Sequence, residues 1–218
     1  SVRKELEDSL RRLETDVIDL YQIHWSKTWG LEEPAPDNEE GWGTLAALQK
    51  EGKVRHIAVS NFDIAEMDRI SPIAPIASLQ PPYSMLRRGI EADLLPYCLA
   101  NRIGVIVYSP MAAGILSGAM TRERAASLPA NDWRSKNPEY QEPKLSRNLA
   151  LVEELRKIGS RYGTSPGAVA IAWTLRQPAV TGAIVGFRSA KQVDGLLAAA
   201  ALRLAPEEIA RIDELTAR

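Results

Sequence analysis

The sequence predicts an α/β fold in which parallel strands alternate with helices, as in part of a (β/α) barrel. Four apolar, strand-like runs each end on polar or aromatic residues, and a helical stretch separates each run from the next. Because the carboxyl ends of parallel barrel strands share one face, side chains at successive strand ends are expected to gather there. The runs cover residues 17–25, 54–61, 76–80 and 104–110.

Hydrophobic periodicity assigns the individual elements. β-branched and aliphatic runs predict strands over 16–25, 54–60, 77–80, 104–108 and 181–187. Residues 111–145 show no clear period and carry many glycines, prolines and asparagines, as functional or mobile segments do. Asp63, Ser165 and Pro166 are typical helix-start residues. Together with apolar residues spaced three and four apart, they predict helices over 2–14, 41–51, 64–72, 90–102, 149–163, 166–175, 192–202 and 206–217.

The number of predicted strands falls short of a closed barrel. Five strands, each followed by a helix, compare with the eight of a (β/α)8 TIM barrel. The chain also opens with Ser1 directly inside a helix, with no strand before it, and an unclosed sheet leaves exposed edges. We therefore expect a single domain over residues 1–218 that forms a partial barrel of about five βα units and lacks about three units before Ser1.

Composition excludes several functional classes. The formal net charge is −1, with 27 basic and 28 acidic side chains and no basic block, so we expect no nucleic-acid partner. No apolar run approaches the ~20 residues that span a membrane, and no secretory signal opens the chain. The single Cys98 cannot form an internal disulfide or a cysteine-based zinc site. A reducing cytoplasm is the natural setting for such a chain.

Five short runs resemble aldo-keto reductases, in that family's order and roughly its spacing over essentially the whole chain. The resemblance implies a (β/α)8 barrel that uses a nicotinamide cofactor, usually NADPH (NADP) with NADH possible, to reduce aldehydes and ketones to alcohols. The chain has no Gly-x-Gly-x-x-Gly motif, which agrees with a barrel that binds its cofactor without a Rossmann domain. The runs are residues 19–25, 52–55, 59–62, 108–110 and 184–186, the last followed by Arg188 and Gln192.

His24 is the candidate catalytic residue. A neutral imidazole at a strand end can donate a hydrogen bond to a substrate carbonyl and help its protonation, and the resemblance assigns that role to His24. From the residue alone, a buried histidine satisfied by a backbone carbonyl is an equal alternative. Trp25 is the candidate substrate contact, and Trp29, Trp42 and Trp133 either shape an apolar pocket with it or simply fill the core.

The candidate nicotinamide site is drawn from three further strand ends. Side-chain amides on a rigid strand can pair with a flat carboxamide, and an aromatic ring can stack on the nicotinamide face. The resemblance places Ser60, Asn61 and Gln80 around the carboxamide and Tyr108 against the ring. Taken singly, the first two are also common turn formers and caps, and tyrosine is simply a good strand residue.

The candidate phosphate and adenosine contacts follow the last two strands. Small residues let backbone N–H groups approach phosphate, and an arginine fork can hold a 2′-phosphate, although an exposed arginine is also an ordinary surface charge. Family members often have Leu in place of Met111 and Glu-Asn near Gly195 and Leu196, which weakens the expected adenine contacts. The residues that the resemblance assigns are Ser109, Pro110, Met111, Gly114, Leu116, Gly186, Arg188, Ser189 and Gln192.

The family's proton donor is a tyrosine supported by an aspartate and a lysine, and no residue of this chain matches them. Tyr21 lies three residues before His24 on the same predicted strand and therefore faces the opposite side. We expect the full-length form to be a reductase and the isolated chain to be inactive. The alternatives are a cofactor-binding auxiliary or sensor subunit that resembles potassium-channel beta subunits, and a relic without a stable fold.

Overall fold

The computed structural model describes residues 1–26 and 37–217 of the chain. These residues divide into two compact units. Unit 1 consists of Ser1–Pro81 and Ile90–Ile106, and unit 2 consists of Pro82–Gly89 and Val107–Arg218. Each unit is described by itself below, and the single domain over residues 1–218 stays a prediction.

The described strands form one sheet whose strand order follows the chain. The pairs β1–β2, β2–β3 and β3–β4 are parallel, which confirms the predicted α/β fold with a parallel sheet. Each of these parallel pairs is joined through a helix, because parallel strands need a crossover connection. The sheet has the order β1-β2-β3-β4-β5, with β1 at Ile18–Ile23, β2 at Val54–Ser60, β3 at Ser78–Gln80, β4 at Gly104–Tyr108 and β5 at Val180–Ile184.

Unit 1 packs helices against its strands around a closed apolar core. Trp42 and Leu45 of α2 are fully buried with Ile57 of β2 and Leu79 of β3. The Asp63 side chain accepts from the Glu66 N–H while Glu66 reaches back to the Asp63 N–H, so the predicted helix start is a capping box. The helices are α1 at Val2–Leu13, α2 at Asn38–Lys50, α3 at Ile64–Ile70 and α4 at Leu94–Ala100.

Unit 2 is built around a helix that is buried on nearly every side. Residues Pro166 to Thr174 of α7 are all buried, and the Ser165 hydroxyl accepts from the Ala168 N–H as the predicted cap. An apolar helix without a polar face must be covered by its neighbours, and α6 packs along it. The helices are α5 at Arg122–Ala126, α6 at Lys144–Arg161, α7 at Pro166–Leu175, α8 at Ala190–Leu197 and α9 at Pro206–Thr216.

Some predicted boundaries were wrong. The helix predicted over 90–102 is a 3₁₀ turn at Gly89–Glu91 followed by α4, because the Asp93 carboxylate accepts from the Leu94 N–H and starts a new helix there. The last strand ends at Ile184 rather than at residue 187. The stretch 111–145 holds α5 and short 3₁₀ turns. In the described part of the chain, no helix combines the length and apolar character that crossing a bilayer requires.

Candidate active site

The ends of β1, β2 and β3 bring three predicted residues into one row of unit 1. The register pairs Ile23 with Val59, so His24 follows opposite Ser60, and Ser60 pairs directly with Gln80. Residues in register on parallel strands point to the same face of the sheet. His24, Ser60 and Gln80, with Asn61 next to them, form what we call the strand-end row.

Hydrogen bonds tie the strand-end row together. Asn61 Nδ2 donates to the His24 carbonyl oxygen at 3.0 Å and to Ser60 Oγ at 3.0 Å. Ser60 Oγ in turn donates to the Gln80 carbonyl oxygen at 2.8 Å. Asn61 adopts φ 60°, a left-handed conformation that asparagine tolerates better than most residues. The amide and hydroxyl groups of the row are therefore connected in one hydrogen-bonded network.

The His24 side chain is exposed, and its ring lies 5.4 Å from the half-buried Trp25 ring between centroids. This exposure does not match the alternative of a buried histidine satisfied by the backbone. Only the main-chain carbonyl of His24 takes part in the hydrogen bonds of the row, which leaves the imidazole accessible to a small molecule.

The other tryptophans do not join His24. Trp42 is fully buried in the core of unit 1, and its Nε1 donates to the Ala74 carbonyl oxygen at 3.0 Å, so its predicted pocket contact is wrong and it fills the core. Trp133 is 62% exposed on unit 2 and does not line the cavity described next. Trp29 lies outside the described residues.

Unit 2 contains a cavity of about 720 Å³ that opens beside the ends of β4 and β5. Its size suits a nucleotide-sized ligand. Two predicted residues stand apart from it: Leu116 is fully buried in the core, and Ser189 precedes α8 without a side-chain capping bond. Eight of the predicted residues line it, namely Tyr108, Ser109, Pro110, Met111, Gly114, Gly186, Arg188 and Gln192.

The backbone turn on one wall of the cavity is unusual. Ser109, Ala112 and Ala113 have φ of 58°, 48° and 55°, and Gly114 has φ of 98°. Non-glycine residues adopt this left-handed region rarely, and such strain concentrates at functional sites. Tyr140 holds the turn, because its hydroxyl donates to the Ala113 carbonyl oxygen at 2.9 Å. A Cβ added to Gly114 would meet nothing within 4 Å, so the backbone here is open to a ligand.

Three arginines line the same cavity. Arg188 is exposed, and its backbone N–H donates to Gln192 Oε1 at 2.6 Å, which fixes the start of α8. Arg134 forms a fork with the Asp132 carboxylate, with Nη2 to Oδ2 at 2.5 Å. Those hydrogen bonds to Arg134 lower the pKa of Asp132 to about 2. Arg124 is exposed and donates to the Ala119 carbonyl oxygen at 3.1 Å.

Sequence reasoning missed Arg124 and Arg134, because both lie in the 111–145 segment that shows no period. The only signal available was the presence of arginines in a long irregular segment after a strand. Sequence reasoning also gave no role to Gln22, a polar residue within the apolar run over residues 17–25. Its contacts appear only once β1 and β3 are placed in one sheet.

Comparisons with known proteins agree with this geometry. The profile of the Aldo/keto reductase family matches residues 1–217. The aldo-keto reductase YhdN of Bacillus subtilis (strain 168) is 38% identical over 194 residues, covering 88% of this chain and 56% of the relative. The NADH-specific methylglyoxal reductase of Escherichia coli (strain K12) is 29% identical over 215 residues, covering 99% of this chain and 64% of the relative.

The chain is also similar to a solved structure. The glycerol dehydrogenase AKR11B4 from Gluconobacter oxydans superposes with a TM-score of 0.90 at 37% identity, covering 100% of this chain and 64% of that chain. The chain thus spans between 56% and 64% of the length of these three proteins. With its strand-end row, its arginine-lined cavity and a family match over residues 1–217, the chain belongs to the aldo/keto reductase family.

Proposed function

We propose that the protein to which this chain belongs reduces small aldehydes or ketones to alcohols with a nicotinamide cofactor. The observation that carries the proposal is the strand-end row, in which a histidine, a serine, an asparagine and a glutamine from three parallel strands form one network. A reduced nicotinamide supplies a hydride to a carbonyl carbon when it is bound. The residues of this chain would bind the cofactor, orient the substrate and supply hydrogen bonds to both.

The described residues fit such a cofactor in each unit. In unit 1, Ser60, Asn61 and Gln80 present the neutral amide and hydroxyl groups that a carboxamide pairs with. In unit 2, the open backbone at Gly114 and the guanidinium of Arg188 suit phosphate groups. The exposed guanidinium of Arg188 could also bind a 2′-phosphate. We therefore propose NADPH as the cofactor, with NADH as the second choice.

His24 is proposed to act on the substrate oxygen. Its exposed imidazole can donate a hydrogen bond to the carbonyl and so favour the negative charge that develops there. The adjacent Trp25 ring would cover the apolar part of the substrate. Ser109, Pro110, Met111, Gly186 and Gln192 would shape the remainder of the cofactor cavity.

Two further statements belong to this proposal. We infer that the five strands are part of a (β/α)8 TIM barrel, supported by their chain-order sheet and by the match to the solved dehydrogenase. We also propose a cytoplasmic location, supported by the single cysteine, Cys98, which cannot form an internal disulfide.

The isolated 218 residues are proposed to bind the cofactor without reducing carbonyls, because no residue matches the tyrosine, aspartate and lysine that the resemblance implies. The test titrates NADPH into the purified chain by fluorescence and then follows NADPH consumption with methylglyoxal and a panel of aldehydes. Saturable binding without turnover is the expected result. Robust turnover would contradict the inactivity, and an absence of binding would contradict the function itself.

A further inference from the structure

Near its C-terminal end, β1 carries a glutamine whose contacts the proposed function does not use. Gln22 lies two residues before His24, on the same face of the strand. Its Oε1 accepts a hydrogen bond from Gln80 Nε2 at 2.9 Å, although the two residues are 58 positions apart. The residue that lies between them on β2 is Ala58, which pairs with Gln22 and is fully buried. Its single methyl group lets the Gln22 side chain cross β2 to reach β3.

Through this bond the Gln80 carboxamide takes one of its two possible directions in the structure. A carboxamide has a donor end and an acceptor end, and turning it over exchanges them. In the structure Gln22 contributes its acceptor end to the bond, and Gln80 presents its Nε2 toward Gln22. Its Oε1 therefore points away from Gln22, and Gln80 Oε1 makes no hydrogen bond to any residue that the structure describes. An acceptor is left for a ligand on the strand-end row.

Two buried polar atoms next to the strand-end row lower the stability of the fold. Gln22 Nε2 and Ser78 Oγ are both buried and have no hydrogen-bond partner among the described residues. An unsatisfied buried polar group is unfavourable, and an apolar residue at position 22 would avoid that cost. A glutamine at position 22 is therefore explained better by its bond to Gln80 than by stability.

We propose that Gln22 is a positioning residue that holds Gln80 Oε1 as the acceptor for the amide N–H of a nicotinamide ring. The inference rests on the proposed function and adds to it. The competing explanation is that the Gln22–Gln80 bond is an ordinary cross-strand pair that only stabilises the sheet. The two explanations differ in what they predict for a ligand that lacks the amide N–H.

The experiment compares two ligands on the full chain: NADP⁺ and its 3-acetylpyridine analogue, in which a methyl group replaces the amide nitrogen. One hydrogen bond changes a dissociation constant by about fivefold, so the wild type should prefer NADP⁺ by about that factor. Gln22→Met, which offers no acceptor, and Gln22→Asn, which is too short to cross Ala58, should bring the ratio of the two dissociation constants close to one. Gln22→Glu keeps an acceptor for Gln80 Nε2 and should retain most of the preference.

The matched control is Gln49→Met, which removes another side-chain amide hydrogen bond of unit 1, from Nε2 to the Arg55 carbonyl oxygen at 2.8 Å. It should leave the ratio unchanged. If the Gln22 variants keep the wild-type ratio, or weaken both ligands equally, the positioning role is overturned while the proposed function stands. If the wild type binds neither ligand, the proposed function fails and this inference fails with it.

Discussion

The two units offer a ligand different chemistry. The amide and hydroxyl groups of the strand-end row in unit 1 carry no charge, and hydrogen bonds link them to one another. The cavity of unit 2 is lined by three arginines and by a left-handed backbone turn. A neutral, flat group requires donors and acceptors in fixed directions, whereas an anion requires positive charge and open backbone N–H groups. The row therefore suits a neutral, flat group, and the cavity suits an anion.

The largest expected effect comes from the two tryptophans that are fully buried in the separate cores. Trp173 of unit 2 stacks on Tyr83 at 5.4 Å between ring centroids, with the Arg176 guanidinium 3.7 Å from its ring centre. Trp42 is its counterpart in unit 1. Trp173→Ala and Trp42→Ala should each lower the free energy of unfolding by about 3–5 kcal/mol, measured by urea titration. A loss below about 1 kcal/mol for either would show that its unit is not packed as described.

A second prediction concerns the turn beside the cavity of unit 2. Gly118 has φ of 85°, and a Cβ added there would lie 2.8 Å from Pro166 Cγ. Gly163 has φ of 63°, but a Cβ there would meet nothing within 4 Å. Gly118→Ala should therefore lower the free energy of unfolding by about 1–3 kcal/mol more than Gly163→Ala, as measured by thermal or urea unfolding. Equal losses would mean that the Gly118 turn can relax away from α7.

The third prediction tests the charge of the unit 2 cavity. Arg188→Ala should raise the dissociation constant for NADP⁺ by about tenfold, because a charge-assisted contact is lost, and should change that for NAD⁺ much less. Arg211→Ala is the control, since Arg211 is an exposed arginine of α9 that pairs with Glu214 at 2.5 Å. Calorimetric titration measures both constants. Equal weakening of the two ligands would separate Arg188 from the 2′-phosphate.

The smallest expected effect is electrostatic. Arg134 lowers the pKa of Asp132 from 3.8 to about 2 in the folded protein. Because the pKa of Asp132 is lower in the folded than in the unfolded protein, the ion pair stabilises the folded state at neutral pH. That contribution to stability is lost as the pH falls from about 4 to about 2. Arg134→Gln should return the Asp132 pKa toward 3.8, as followed by NMR of the carboxyl carbon. An unchanged pKa would exclude the Arg134 fork as its cause.

The sequence predicted the parts of this fold that depend on local pattern. Apolar runs that end on polar residues located the strand-end row, and the Asp63 and Ser165 caps follow from neighbours three residues away. Contacts between distant segments were not predictable in the same way. The Gln22–Gln80 bond spans 58 positions, and Arg134 reaches the cavity from a segment without period. The burial of Trp42 also depends on which face of α2 meets the sheet, which composition does not specify.

The most direct test of the strand-end row is an NMR titration of the ¹⁵N-labelled chain with NADP⁺. The account predicts that the side-chain NH₂ resonances of Gln80 and Asn61 shift with a saturable dependence on ligand, while the NH₂ of Gln49 does not move. Saturable binding that leaves the Gln80 and Asn61 resonances in place would contradict the claim that this row receives the nicotinamide.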